Sequence, residues 1–220
     1  MILLIWVIEM KRFLTDKLIE WKNSKYRKPL ILRGARQVGK TYILKDFANT
    51  YYDNMAYFNF DHDSSLADLF VNTKDPKRII EQLSFVVGRK IEPVNTLIIF
   101  DEVQECPDAL NSLKYFAEET PEYHIVAAGS LLGIKLSHTS FPVGKVDYLT
   151  LYPMTFSEFL IADGKENLVE YMKSIKEIQE IPKIFDEQLI EQLKKYYIIG
   201  GMPEVVNSWV NDKDIERVNY

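Results

Sequence analysis

The octapeptide GARQVGKT, residues 34–41, constrains this chain more than any other feature of its sequence. It matches the pattern G-x-x-x-x-G-K-[ST], with an apolar run at Leu30–Leu32 before it and a helical pattern after it. Glycine lets the backbone close around phosphate groups, and a helix that begins after Lys40 adds the positive end of its dipole. A chance match in this context is rare, so the octapeptide predicts a phosphate-binding loop.

The residues of this loop also predict how a nucleotide is held. Lys40 is expected to reach the β- and γ-phosphates and so to act in catalysis, while the Thr41 hydroxyl coordinates Mg²⁺. The guanine-specific element N-K-x-D is missing from the sequence, which favours ATP as the nucleotide. The predicted nucleotide-binding residues are Gly34, Ala35, Arg36, Gln37, Val38, Gly39, Lys40, Thr41 and Tyr42.

A second part of the predicted site follows the apolar run Thr96–Phe100, which ends in two acids, Asp101 and Glu102. In folds of this kind a parallel strand presents its carboxyl end at the edge of the sheet where phosphates bind. Asp101 is therefore expected to hold Mg²⁺ through its water shell, and Glu102 to orient or deprotonate the water that attacks the γ-phosphate. The alternative is a strand that ends in two solvated carboxylates.

Ser130 follows a third apolar run, Ile125–Ala128, after one glycine. If that strand neighbours the Asp101 strand, the Ser130 hydroxyl lies near the γ-phosphate and the attacking water, where it can sense the γ-phosphate. Ser130 therefore joins Glu102 and Lys40 as a predicted catalytic residue. The alternative is a plain Gly-Ser turn that leaves the sheet.

Apolar runs alternate with helical patterns through the first two thirds of the chain. Besides the runs above, Met55–Phe60 is apolar, and helical patterns cover Thr41–Asn49, Lys77–Gly88 and Pro107–Glu119. This alternation predicts an α/β fold of the P-loop NTPase class, with a mostly parallel central sheet flanked by helices. Beyond Pro153, helical patterns at Phe156–Asp163, Leu168–Gln179 and Ile184–Ile199 predict a small helical subdomain.

This change of pattern predicts three segments. Residues 1–152 form the nucleotide-binding core, residues 153–208 form a helical lid, and residues 209–220 begin a linker or a truncated C-terminal domain, starting another helix at Asp212–Tyr220. The apolar N-terminus, residues 1–9, is far shorter than the roughly 20 residues that span a bilayer. It is either an added strand or helix end that packs on the core, or an extension upstream of a natural start at Met10.

Charge and cysteine content bear on the partners and the compartment. The 27 basic and 32 acidic residues give a net charge of −5, which argues against a large non-specific DNA-binding surface. Cys106 is the only cysteine, which excludes an intrachain disulfide and fits a reducing compartment. We therefore expect a cytoplasmic protein without membrane contact that binds ATP and ADP. A homo-oligomer or a protein partner is compatible with this sequence, whereas nucleic acid is not supported by the charge.

Five segments in order carry a family resemblance: LILRGARQVGKT, LIIFDEVQ, GSLLG, YPMTFSEFL and GGMPEVV. The chain resembles the largely uncharacterised AAA-type P-loop ATPases that carry a C-terminal domain of unknown function, and it is similar to their N-terminal ATPase module. The resemblance implies an AAA-like fold. It also implies an ATP·Mg²⁺ site formed by Lys40, Thr41, Asp101 and Glu102. Ser130 would be the sensor of this site.

One departure from that family bears on the expected rate. Members often carry Gly-Arg ahead of the YPMTFSEFL-like segment, where this chain has Gly144-Lys145. If that arginine completes a neighbour's site, Lys145 offers a point charge without the planar fork of arginine. An arginine at the γ-phosphate is worth about 10³–10⁵ in rate, so turnover without one is expected to be slow.

Two functions are therefore expected. The first is hydrolysis of Mg·ATP that drives a conformational change of the lid or of a C-terminal domain. The second is a nucleotide-gated interaction module with little intrinsic turnover, in which the ATP and ADP states choose a partner. Stimulation of turnover by self-assembly, DNA or a protein partner distinguishes the two.

Overall fold

A computed structural model describes residues 10–130 and 144–213, which form two compact units. The sheet unit comprises residues 14–151. The helical unit comprises the described residues of the segments 1–13 and 152–220. In the described part of the chain, every helix is too short or too polar to cross a bilayer.

The sheet unit is built on five parallel strands, which confirms the predicted fold class. The strands are β1 (Leu30–Arg33), β2 (Asn54–Asn59), β3 (Thr96–Asp101), β4 (His124–Gly129) and β5 (Asp147–Thr150), in the spatial order β2-β3-β4-β1-β5. Every residue of the central strands β3 and β4 is buried, as expected for a parallel sheet covered on both faces.

Helices cover this sheet through apolar faces. They are α1 (Leu14–Asn23), α2 (Lys40–Tyr51), α3 (Asp68–Val71), α4 (Pro76–Val86) and α5 (Pro107–Glu119), with short 3₁₀ turns at Ser64–Ala67 and Val103–Glu105. The face of α2 that the sequence predicts is buried, with Ile43 and Phe47 at 2% and 0% exposure. Two helices begin with a proline, Pro76 and Pro107, where the missing N–H costs nothing.

The register of the strands brings three chain segments to one edge of the sheet. Asn59 pairs with Asp101 across β2 and β3, and Arg33 pairs with Gly129 across β1 and β4. Because all strands are parallel, the loop after β1, the acids after β3 and Ser130 after β4 meet at their carboxyl ends.

The helical unit holds four helices around a small core of its own. They are α6 (Phe156–Ala162), α7 (Glu166–Ser174), α8 (Lys183–Ile199) and α9 (Pro203–Asp212). Thr155 and Glu158 form a capping box at the start of α6, and the buried Glu158 carboxylate also accepts a hydrogen bond from Arg12 Nε at 3.1 Å. Gly200, with φ of 76°, ends α8.

The structure differs from the predicted segments at their borders. Residues 10–13 belong to the helical unit, where Arg12 pairs with Glu158, and α9 runs across the predicted border at residue 208. Asp212, the first residue of the helix predicted at Asp212–Tyr220, is the last residue of α9, so the predicted helix itself stays a prediction. Residues 1–9 and 214–220 lie outside the described residues. Helix α1, strand β5 and helix α9 had no counterpart in the sequence analysis.

Candidate functional site

The loop between β1 and α2 carries the backbone geometry that a phosphate loop needs. Gly39 precedes α2 with φ of 91°, and Gln37 also takes a left-handed conformation with φ of 63°. At Gly34 an added Cβ would lie 2.5 Å from the carbonyl oxygen of Leu151, so only glycine fits there. The backbone of the loop therefore packs directly against the backbone at Leu151. Of the other predicted nucleotide-binding residues, Val38 is buried, and the side chains of Ala35, Arg36 and Tyr42 are exposed.

Lys40 turns back over this loop. Its side chain is buried to 6% exposure, and Nζ donates hydrogen bonds to the carbonyl oxygens of Gly34 at 3.0 Å and Ala35 at 2.7 Å. Burial lowers the pKa of Lys40, while the charges of Glu102 and Asp101 act in the opposite direction. Both acceptors are neutral carbonyls, so the ammonium charge remains available to an anion in the loop.

Thr41 and Asp101 are in direct contact. The Thr41 hydroxyl donates a hydrogen bond to Asp101 Oδ2 at 2.7 Å, and Asp101 is 1% exposed. A hydroxyl has one proton and two lone pairs. Because the proton points to Asp101, the lone pairs of Thr41 Oγ1 are left for a cation.

Two more donors hold the Asp101 carboxylate. The Tyr57 hydroxyl donates to the same oxygen, Oδ2, at 2.8 Å, and the backbone N–H of Glu102 donates to Oδ1 at 3.0 Å. Tyr57 is not among the site residues that the sequence predicts. The available signal was the spacing of Tyr57 and Asn59 in β2, which puts both on one face of the strand.

Glu102 leaves β3 in an unusual backbone conformation. Its φ of 50° and ψ of 41° lie in the left-handed region, which few residues other than glycine adopt. The Gln104 side-chain amide donates a hydrogen bond to Glu102 Oε2 at 2.5 Å. Backbone strain of this kind is concentrated at functional sites, which is consistent with the predicted role of Glu102.

Ser130 comes directly after β4, which neighbours β3 as the sensor hypothesis requires. It is half-buried. The following residues, 131–143, lie outside the described residues, so the GSLLG turn is described only as far as Ser130. The sensing role of Ser130 therefore stays a prediction.

The chemistry of these groups fits Mg²⁺ and a nucleoside triphosphate. Mg²⁺ prefers oxygen ligands and is usually held by one or two protein groups together with phosphates and water. The Thr41 hydroxyl and the Asp101 carboxylate supply such oxygens 2.7 Å apart, beside the buried Lys40 ammonium. These three residues would hold the metal and the phosphates.

Lys145 lies at the opposite edge of the sheet. It precedes β5, and its Nζ pairs with Glu118 Oε1 at 2.8 Å near the end of α5. This contact lowers the pKa of Glu118. Lys145 is therefore paired within the chain, and it is separated from the Lys40 loop by the length of the strands.

Comparison with known families settles where the chain belongs. The sequence model described as an AAA domain matches residues 26–160, which is more than half of the chain. The chain belongs to the AAA domain family. The match includes the whole loop from Gly34 to Thr41, the Asp101-Glu102 pair and Ser130. The C-terminal domain that the sequence resemblance implies stays a prediction.

Solved structures show a distant likeness. A STAND signal transduction ATPase with a tetratricopeptide repeat sensor, from Pyrococcus horikoshii, is 15% identical with a TM-score of 0.48, over 92% of this chain and 31% of its own. A RuvB variant from Thermotoga maritima is 15% identical with a TM-score of 0.48, over 90% of this chain and 59% of its own. Drosophila ORC bound to DNA is 17% identical with a TM-score of 0.47, over 89% of this chain and 53% of its own. The chain thus spans less than two thirds of each, and no curated protein matches it.

Proposed function

We propose that this AAA domain binds ATP with Mg²⁺ and hydrolyses it to ADP and phosphate. The observation that carries the proposal is the meeting of Lys40, Thr41 and Asp101 at one edge of a parallel sheet, with the Thr41–Asp101 contact at 2.7 Å. Glu102 follows Asp101 directly and supplies a base at the same edge.

The mechanism assigns one task to each group. The backbone N–H groups of residues 34–41 and the Lys40 ammonium bind the β- and γ-phosphates and stabilise the charge that develops on them. Thr41 and Asp101 hold Mg²⁺, which supplies further positive charge at the phosphate oxygens. Glu102 takes a proton from a water whose oxygen attacks the γ-phosphorus, while the bond to the β–γ bridging oxygen breaks and ADP leaves.

A second function, the nucleotide-gated interaction module, is favoured by two contacts. Glu102 is engaged by Gln104, and Lys145, which stands where family members often carry arginine, is paired with Glu118. Both contacts are expected to keep intrinsic turnover low. In this version ATP and ADP states select a partner, and hydrolysis resets the domain.

Coupling and partners belong to the same proposal. Hydrolysis would change the conformation of the helical unit or of a further C-terminal domain, in a homo-oligomer or with a protein partner. The net charge of −5 gives no support to a nucleic-acid partner. A cytoplasmic location rests only on the single cysteine.

The deciding experiment measures Mg²⁺-dependent ATP hydrolysis by the chain and by Glu102→Gln over a range of protein concentrations. Loss of a general base typically costs about 10²–10⁴ in rate, so we expect Glu102→Gln to lose that factor while it still binds a fluorescent ATP analogue. A specific activity that rises with concentration would indicate a site completed between copies.

Two other outcomes have distinct meanings. Binding of ATP by both proteins without turnover by either would leave the nucleotide-gated module as the function. Failure of the wild-type chain to bind ATP with or without Mg²⁺ would refute the proposal as a whole.

A further inference from the structure

Strand β2 brings a tyrosine hydroxyl to the Asp101 carboxylate, and no step of the proposed hydrolysis uses it. Tyr57 Oη lies 2.8 Å from Asp101 Oδ2, the oxygen that also accepts the Thr41 hydroxyl. We propose that Tyr57 is a positioning residue of the Mg²⁺ site, which fixes Asp101 so that one acceptor position on Oδ1 faces the water shell of the metal. This inference rests on the proposed function, because it assumes that the site binds Mg²⁺ with ATP.

The count of acceptor positions supports this role. An ionised carboxylate has two oxygens, each with about two lone-pair positions. Thr41 and Tyr57 together fill Oδ2, and the Glu102 N–H takes one position on Oδ1. Among the described residues these three are the donors to Asp101, and they leave a single position on Oδ1 for a metal-bound water. Without Tyr57, a second open position would appear on Oδ2 and the carboxylate would lose a constraint on its rotation.

Tyr57 is itself held from two sides. Asn59 Nδ2 donates to the Tyr57 oxygen at 3.3 Å, and the Asn59 Oδ1 is fixed in turn by the backbone N–H groups of Asp61 and His62, each at 3.0 Å. Lys45 Nζ lies 3.9 Å from the centroid of the Tyr57 ring, within the range of a cation–π contact. Both the hydroxyl and the ring of Tyr57 are therefore held by neighbouring side chains, as a positioning group must be.

The hydroxyl also keeps its proton. Burial is the largest of the effects that raise the pKa of Tyr57 to about 12, and the hydrogen bond to Asp101 and the charges of Asp101 and Glu102 add to it. Tyr57 is thus a hydrogen-bond donor throughout the neutral pH range. Its effect on Asp101 follows from geometry and does not depend on titration.

The test removes only the hydroxyl. Tyr57→Phe keeps the ring under Lys45 and deletes the donor to Asp101. The matched control is Tyr52→Phe, which deletes a buried hydroxyl that shares a 2.7 Å hydrogen bond with His124 Nδ1 at the opposite edge of the sheet. For each variant, the rate of ATP hydrolysis is measured against free Mg²⁺ at saturating ATP, and binding of a fluorescent ATP analogue is measured with and without Mg²⁺.

We expect Tyr57→Phe to raise the KM for Mg²⁺ about tenfold, the lower end of the 10- to 100-fold loss of metal affinity that is typical when a hydrogen-bond partner of a metal ligand is removed. The rise should exceed any fall in kcat, and binding of the analogue in EDTA should match that of the wild type. Tyr52→Phe should keep the wild-type Mg²⁺ dependence. Thermal melting of both variants confirms that they are folded before the curves are compared.

Each contrary result has one interpretation. A Mg²⁺ curve of Tyr57→Phe that coincides with the wild-type curve overturns the positioning role, as does an equal shift in Tyr52→Phe, which would indicate a general loss of rigidity. If the wild-type chain binds Mg·ATP without turnover, the Mg²⁺ dependence of analogue binding replaces the rate as readout. If the wild-type chain binds no nucleotide, the proposed function fails first, and this inference fails with it.

Discussion

Two edges of the same sheet each hold a tyrosine hydroxyl against a buried titratable side chain. At the amino-terminal ends of the strands, which we call the starting edge, Tyr52 and His124 share a hydrogen bond of 2.7 Å. At the carboxyl-terminal ends, which we call the ending edge, Tyr57 donates a hydrogen bond to Asp101 at 2.8 Å. The local chemistry is similar, and what surrounds each pair differs.

The pair at the starting edge is closed by aromatic packing. His124 is 3% exposed and makes edge contacts with the rings of Trp21 and Tyr52, at centroid distances of 6.0 and 5.4 Å. The Trp21 Nε1–H donates to the carbonyl oxygen of Lys28 at 2.8 Å. Burial, with the charges of Arg27 and Lys22 as smaller effects, lowers the pKa of His124 to about 4, so the ring is neutral at pH 7.

The pair at the ending edge lies among charges and strained backbone. Asp101 shares this edge with the Lys40 ammonium and the Glu102 carboxylate, and Glu102 and Gln37 are left-handed. The contrast shows that a tyrosine hydroxyl paired with a buried titratable group does not by itself mark a site. At the ending edge, by contrast, the Asp101 carboxylate keeps an open acceptor position, and Glu102 and Gln37 hold costly backbone conformations. These features mark the ending edge as a ligand-binding site.

The largest expected difference between the two edges is in how the free energy of unfolding depends on pH. His124, at the starting edge, contributes to this dependence. A neutral ring with a folded-state pKa of about 4 and an ordinary unfolded-state value near 6.5 binds its proton only after unfolding in that interval. Its contribution is therefore complete above about pH 6.5 and is lost as the pH falls toward 4, up to about 3 kcal/mol. We expect His124→Gln to lack this part of the slope in denaturant unfolding measured from pH 7 to pH 4.

The control for that measurement is His62→Gln, at an exposed position of the same unit. It should reproduce the wild-type slope. A His124→Gln slope equal to that of the wild type would mean that His124 binds its proton equally in the folded and unfolded states, so that folding does not lower its pKa. The rate of ATP hydrolysis by His124→Gln at pH 7, divided by the fraction of protein that is folded, should equal the wild-type rate, because the ring lies at the starting edge.

The next effect concerns two lysines, one at each edge. Lys40→Met removes the ammonium from the loop, and a hydrogen bond to a charged group is worth about 1.5–3 kcal/mol, so the Kd for ATP should rise about 10- to 100-fold. Lys22→Met removes an ammonium that lies 4.2 Å from the centroid of the Tyr52 ring. It should leave the Kd for ATP unchanged, as measured by titration of a fluorescent analogue. Equal affinities of Lys40→Met and the wild type would exclude Lys40 as a phosphate ligand.

The site was partly predictable because much of its chemistry is contiguous in sequence. The loop from Gly34 to Thr41 carries its own glycines, lysine and helix start, so the spacing alone predicts its form. The Asp101-Glu102 pair needed only the assumption of a parallel strand. The carboxyl ends of β1, β3 and β4 do meet, and this follows from the order of the strands.

Tyr57 was not predictable by the same means. Its contact with Asp101 depends on β2 pairing with β3 in a register that sets Asn59 opposite Asp101, and no local pattern states that register. Likewise α1 buries only two of its ten residues, Leu18 and Trp21, so its helical period is weak in the sequence. The placement of Arg12 in the helical unit depends on its partner Glu158, 146 residues away.

The smallest effect is expected at Gln104, which tests whether the ending edge is held below its full activity. The amide of Gln104 occupies one acceptor position of Glu102 at 2.5 Å, while its own Oε1 is buried and has no hydrogen-bond partner among the described residues. Gln104→Met keeps the length of the side chain and removes both the donor and this unsatisfied oxygen, so the fold should not lose stability. Glu102 then has that position free for water.

A hydrogen bond to a charged group such as the Glu102 carboxylate is worth about 1.5–3 kcal/mol. Water at the freed position restores part of that bond, so kcat for ATP hydrolysis should rise only about two- to tenfold in Gln104→Met. The matched control is Gln82→Met on α4, which removes another buried glutamine oxygen that has no partner in the part of the chain that the structure describes. It should leave kcat at the wild-type value. A fall in kcat for Gln104→Met would instead show that the amide aims Glu102 at the water, and that the ending edge is already set for turnover.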